Sequence, residues 1–204
     1  MEQTTSLGWH SGHLLIAGLW VAYFSFHSLL ASRHVKAYLL RAMPFLAGRY
    51  RLIYNLIALF TIIPVLLAGA VIQGPRLLPP NDFLRYLAMF FATWGVIVVR
   101  LAFKVFDFRQ FIGFSPYTED DEKELKKEGI LSKIRHPIYA GALLIVIGYA
   151  LFAPTITNWI ICFISVVYIF IGIRIEEKRL MDRFGIEYKE YKEKVPALIP
   201  RLGR

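Results

Sequence analysis

The stretch KIRHPIYAGALLIVIGYALFAPT, Lys133 to Thr155, sets an arginine, a histidine and a proline at the mouth of an apolar run. Proline suits a first helical turn, because the N–H it lacks is one that the turn leaves unpaired anyway. From Pro137 to Ala153 no side chain is charged, and after Pro154 a second apolar run extends from Thr155 to Ile173. So short a join forces the two runs into an antiparallel hairpin with its tip at Pro154 and Thr155. Three more runs precede it, Leu14 to Leu30, Leu52 to Ile72 and Phe83 to Phe103, and all five are 17 to 21 residues long. Crossing about 30 Å of hydrocarbon takes roughly 17 to 25 helical residues. In lipid, backbone groups must be satisfied within the segment, which favours helices over open sheets. These runs predict an all-α integral-membrane protein with five transmembrane helices, a C-terminal helical hairpin and an amphipathic cytoplasmic tail.

Charge supports the same reading. The 204 residues are 56% hydrophobic and 19% charged, more apolar and less charged than a typical soluble domain, yet the net charge is +9. Lys and Arg crowd the stretch between runs one and two, the connector between runs three and four, and the tail from Arg174. On the opposite side only Arg76 is basic. This asymmetry places the N-terminus outside and the C-terminus in the cytoplasm. It also removes the case for nucleic acid as a partner, since the basic residues lie beside helix ends and not along one exposed face. The expected surroundings are membrane lipids, with no obligate protein partner. The first run has no basic residue before it and no A-x-A site after it, and so reads as a span, not a cleaved signal. Cys162 is the single cysteine and cannot form an intramolecular disulfide. The five histidines share no metal-ligand spacing with a supporting carboxylate, so no metal site is expected.

Several polar residues lie at one level of the hairpin. Arg135 and His136 stand at the helix start, either as interface anchors or as cations beside a helix N-terminus, a position that attracts anions. Glu176 and Glu177 stand at the far end of run five, where acids oppose the helix dipole. Lys178, Arg179 and Arg183 could neutralise them, or one carboxylate faces inward to orient a cation or to pair with Arg135. Tyr188 and Tyr191, three apart, read either as interfacial residues or as walls of an aromatic pocket for a cation. In the connector, EDDEKELKKEG (residues 119–129) predicts a short solvated helix closed by Gly129.

RHPIYAG, then EEKRL at the end of the next helix, then FGIEYKEYKEKVPALIPR together resemble the C-terminal signature of the integral-membrane methyltransferases. That group includes the isoprenylcysteine carboxyl, phospholipid and methanethiol methyltransferases. The first half, FHSLLASRHVK followed by GRYRLIYNLIALFTIIPVL, is similar to the methanethiol and NnrU-like branch. The resemblance implies a single membrane domain over residues 1–204: helices 1–3 in 1–103 on the acceptor side, a connector at 104–136, and a cofactor-binding hairpin and tail at 137–204. It implies S-adenosylmethionine as cofactor, bound by Arg135, His136, Tyr139, Gly141, Glu176 and Glu177, with Tyr188 and Tyr191 covering it. Gly129 and Leu131 complete the set; family members often carry Gly-x-Tyr where Gly129-Ile130-Leu131 stands, so an aromatic contact is missing here. His136 and Arg135 are the expected catalytic pair. The implied reaction methylates a small or hydrophobic thiol, with an isoprenylcysteine carboxyl or a phospholipid amine as alternative acceptors. A different class, a haem-dependent NnrU-like isomerase or denitrification-associated membrane protein, would use His27 as an iron ligand.

Overall fold

The computed structural model describes residues 11–115 and 124–201, and among these the regular structure is helical. Seven α-helices follow one another: α1 Ser11–Ala31, α2 Arg33–Ala42, α3 Tyr50–Val71, α4 Asp82–Ala102, α5 Phe108–Ile112, α6 Pro137–Phe152 and α7 Ile156–Lys194. Short 3₁₀ turns occupy Pro44–Leu46 and Gly129–Ser132. Four helices, α1, α3, α4 and α7, are long and apolar enough to cross a membrane. The fourth predicted span, α6, is apolar but only 16 residues long. At 1.5 Å per residue that is about 24 Å, short of a full hydrocarbon core.

Local chemistry sets the boundaries. Ser32, Asn81 and Thr155 cap α2, α4 and α7, accepting hydrogen bonds from the amides of Val35, Leu84 and Asn158. The basic stretch between the first two apolar runs is therefore mostly helix: Ser32 ends one helix and caps the next within a single residue. In the connector, Glu124–Glu128 is not helical. The remainder of the expected 119–129 helix, through residue 123, lies outside the described residues.

The tightest packing joins α4 to α6. A Cβ on Gly141 would lie 2.6 Å from the carbonyl oxygen of Gly95, and one on Gly148 would lie 2.8 Å from that of Ala88. The two backbones are in contact, which only small residues permit. In lipid this close approach supplies the van der Waals attraction that a hydrophobic driving force cannot. At the hairpin tip the Pro-rich segment after α3 is strapped down. The Leu77 amide donates to Pro154 O at 2.7 Å and the Ile156 amide to Pro75 O at 3.1 Å.

Helix α7 runs through all of this. Its 39 residues would measure about 58 Å if straight, nearly twice a hydrocarbon core. The run from Thr155 to Ile173 is alone long enough to cross a hydrocarbon core, and the charged remainder of the helix projects past that length. Gly185 breaks the projecting part, with φ 50° and ψ −121°, a conformation open to glycine and closed to L side chains. The kink turns the last helical turns back, so that Tyr188 and Tyr191 are buried. Gly185→Ala is expected to undock this segment at a cost of about 1–3 kcal/mol. Limited proteolysis in detergent should then cut between Gly185 and Val195 while the spans stay intact.

Candidate functional site

The site begins with a strand-like pairing that the sequence does not announce. After α7 the chain extends through Pro196 and Ala197, whose carbonyls accept the amides of Arg135 at 2.9 Å and His136 at 3.0 Å. The Tyr191 hydroxyl donates to Leu131 O at 2.6 Å. The last turns of α7 are thus fixed against the two residues that open α6.

Arg135 is nearly enclosed, its side chain 8% exposed. Its Nε donates to Glu177 Oε1 at 3.1 Å and Nη2 donates to the same oxygen. Nη1 donates to Lys192 O at 3.1 Å and to Val195 O. Glu177, 13% exposed at the side chain, also meets His136 Nε2 at 3.2 Å and accepts from Lys192 Nζ at 2.6 Å. Burial alone would raise the Glu177 carboxyl, but the bonds from Lys192, Arg135 and His136 outweigh it and hold it down at about 2. Glu177 is therefore committed within the protein.

Its neighbour Glu176 is not so committed. It is 45% exposed at the side chain, with Oε2 3.8 Å from His136 Nδ1, and it lines a cavity beside the α7 tail. The cavity is open-mouthed and has an apolar side of Phe106, Leu125, Leu180 and Phe184. Leu131, Arg135, Tyr188 and Tyr191 close its inner end. Tyr188 is fully buried, and its hydroxyl stands near the Arg135 guanidinium without a hydrogen bond of normal geometry. Burial, reinforced by the Glu177 charge, raises the Tyr188 phenol above its ordinary value. Burial likewise pushes Tyr191 up to about 12 against the lowering effect of Arg135. Both are neutral phenols at any physiological pH.

Of the residues singled out from the sequence, five line the cavity: Leu131, Arg135, Glu176, Tyr188 and Tyr191. His136 is buried behind them, 4% exposed, between the two glutamates. Tyr139 lies next to His136, with ring centroids 5.8 Å apart, and interacts with Glu176. Gly129 takes φ 57° against Val105 and serves the turn into the 3₁₀ segment. Gly141 faces Gly95 of α4 and not the cavity. Sequence reasoning missed Phe106, Phe184 and Lys126 as cavity residues. Lys126 donates to Val105 O at 3.4 Å and lies 5.6 Å over the Phe106 ring. Nothing in its charged run marks it out from Lys127. His27, the candidate iron ligand, has both ring nitrogens within reach of the Tyr54 hydroxyl, at 3.1 and 2.6 Å.

Four helices of membrane-spanning length and a hairpin whose polar end is closed by its own folded-back tail define a helical protein of membrane-spanning build, with a cavity at that polar end. The phospholipid methyltransferase family pattern matches residues 84–186, half of the sequence, and the chain belongs to that family. It is 30% identical over 125 residues to methanethiol S-methyltransferase 1 of Bradyrhizobium diazoefficiens, covering 59% of this chain and 43% of that one. A methanethiol S-methyltransferase of Pseudomonas sp. is 23% identical over 200 residues, 96% of this chain and 76% of its own. The protein-S-isoprenylcysteine O-methyltransferase of Saccharomyces cerevisiae is 39% identical over 84 residues, 40% of this chain and 35% of its own. The chain spans about half the length of most of these curated relatives.

Glu177→Gln leaves the enclosed Arg135 without its counter-charge, at an expected cost of about 3 kcal/mol or more. Because the Glu177 carboxyl is lowered from 4.5 to about 2 on folding, its contribution is complete above pH 4.5 and is lost as pH falls toward 2. Protease protection of the tail should follow that curve in the native protein. In Glu177→Gln it should already be weakened at pH 7.

Proposed function

We propose that this chain is an integral-membrane, S-adenosylmethionine-dependent methyltransferase acting on a small or hydrophobic thiol. The observation that carries the reading is the split between adjacent glutamates. Glu177 neutralises Arg135, while Glu176 is left facing a cavity with aromatic walls. Its donor set fits the cofactor: the half-exposed Glu176 carboxylate, which also meets Tyr139 and His136, for an ammonium, aromatic faces for a sulfonium or an adenine, and the buried Tyr188 hydroxyl at the inner end. Lys126 is better placed than Arg135 for the anionic end, because four guanidinium contacts of Arg135 already go to Glu177, Lys192 and Val195. Arg135 and His136 are positioning residues in this reading. They fix the start of α6, the tail and the orientation of both glutamates. When bound, S-adenosylmethionine supplies an electrophilic methyl group, so the protein's task is to align donor and acceptor and to exclude water. The thiol reading rests on the several relatives named for methanethiol; a prenylcysteine carboxyl or a phospholipid amine is the alternative. In the membrane, α6, packed on α4 and joined to α7 as a hairpin, completes a fifth crossing, and the basic stretch after α1 and the basic ends of α4 and α7 lie on the cytoplasmic side.

The test is equilibrium binding of S-adenosylmethionine to detergent-purified protein, followed by labelled-methyl transfer to an alkanethiol, a farnesylcysteine and a phosphatidylethanolamine. Binding with transfer to the thiol is expected; no binding at millimolar donor overturns the reading. Glu176→Ala is expected to weaken donor binding by at least tenfold with the fold retained, as is His136→Ala, through loss of its hold on the glutamates.

A further inference from the structure

The surplus positive charge is gathered at one place. Residues 32–51 carry five Lys and Arg side chains, and no residue from 3 to 81 is acidic. The connector 104–136, by contrast, balances seven basic residues with seven acidic ones, and residues 174–204 set nine against six. Membrane topology follows Lys and Arg alone, so it does not require acids to be absent from the first stretch. A net positive field is what an anionic surface responds to.

That stretch is folded, and its shape suits such a surface. Ser32, extended at φ −69° and ψ 143°, turns the chain off the α1 axis, so α2 does not continue the span. Helical spacing sorts the residues of α2 into two faces. Arg33, His34, Tyr38 and Arg41 are exposed on one, while Val35, Leu39 and Leu40 are half-buried on the other. No residue of α2 is fully buried, so protein covers the apolar side only in part. Beyond it, Phe45 and Arg49 are exposed.

Helix α5 adds a second set at the same level. The Tyr50 hydroxyl donates to Leu30 O at 2.7 Å, fixing the start of α3 beside the end of α1. Arg51 Nη1 donates to Gln110 O at 3.0 Å and Asn55 Nδ2 to Ile112 O at 3.1 Å, fixing α5 to that same start. Phe108, Phe111 and Phe114 are exposed there beside Arg109. The acid next to them, Asp107, caps α5, accepting from the amides of Arg109 at 2.8 Å and Gln110 at 3.3 Å. Tyr38, Phe45 and Phe114 are each 70% exposed or more. Rings interleaved with basic side chains suit the headgroup layer of a bilayer, the rings at the acyl boundary and the cations among the phosphates.

We propose, on the membrane-spanning part of the reading above, that α2, the Pro44–Leu46 turn and α5 bind the anionic phospholipid headgroups of the adjoining leaflet. Arg41 and Arg49 meet the phosphates. Tyr38, Phe45 and Phe114 anchor the two short helices in the headgroup layer, and acyl chains complete the cover of the apolar side of α2. Anionic lipid is thereby concentrated around the ends of α1, α3 and α4.

The experiment reconstitutes the full chain into phosphatidylcholine vesicles. Electron spin resonance then reads the share of spin-labelled phosphatidylglycerol or phosphatidylcholine immobilised at the protein. Expected is a preference for phosphatidylglycerol of about threefold or more at about 20 mM salt, falling to about one at about 1 M, where charges are screened within about 3 Å. Arg41→Gln with Arg49→Gln should reduce the preference about twofold or more, and Arg41→Lys with Arg49→Lys should retain it. Lys189→Gln with Lys194→Gln removes the same charge from exposed tail positions and should also retain it. Equal immobilisation of both lipids by the native chain overturns the proposal while leaving the membrane-spanning reading in place, and so does an equal loss in the tail variant. No immobilised lipid of either kind overturns the membrane-spanning reading and the proposal with it.

Discussion

A guanidinium and a carboxylate that are both shut off from water can keep their charges only in each other's company. Arg135 and Glu177 are such a pair, and three parts of the chain meet because of them. Arg135 opens α6, Glu177 belongs to the projecting half of α7, and the carbonyls that occupy the rest of the guanidinium come from the tail. Removing charges from water is expensive, and the attraction between them repays it only when the remaining donors are also satisfied. Here Lys192 and His136 supply the additional bonds to Glu177. The pair decides which way the next residue, Glu176, must look.

That last point marks where sequence reasoning stopped. Consecutive helical residues point about 100° apart, so Glu176 and Glu177 cannot share a role, yet nothing in EEKRL says which faces in. The apolar runs, the hairpin and the crowding of polar residues at its open end were legible, because membrane length and charge asymmetry act on the sequence directly. The helix Arg33–Ala42 was not, since a basic amphipathic decamer and a basic loop differ only by the capping bond of Ser32. Gly141 was placed by its motif in the cofactor pocket, while its backbone serves the contact with α4. Lys126 was invisible for a different reason: its neighbours in sequence are equally charged, and only the fold brings it over Phe106.

The family pattern begins in α4 and ends one residue past the Gly185 kink, leaving α1 and α3 outside it. The matched half holds Arg135, His136, Tyr139, Glu176 and Glu177, while Tyr188 and Tyr191, which close the cavity, lie just past its end. The unmatched half brings the imidazole of His27 and the hydroxyl of Ser28 to Tyr168 of the same helix, α7.

The glycine contact between α4 and α6 has an effect beyond holding two helices together. Where two backbones touch, no acyl chain or alkyl tail can slip between them, so that flank of the hairpin is a closed wall to anything dissolved in the bilayer. Small residues on one seam thus decide which flank of the hairpin is sealed and which is left for its neighbours.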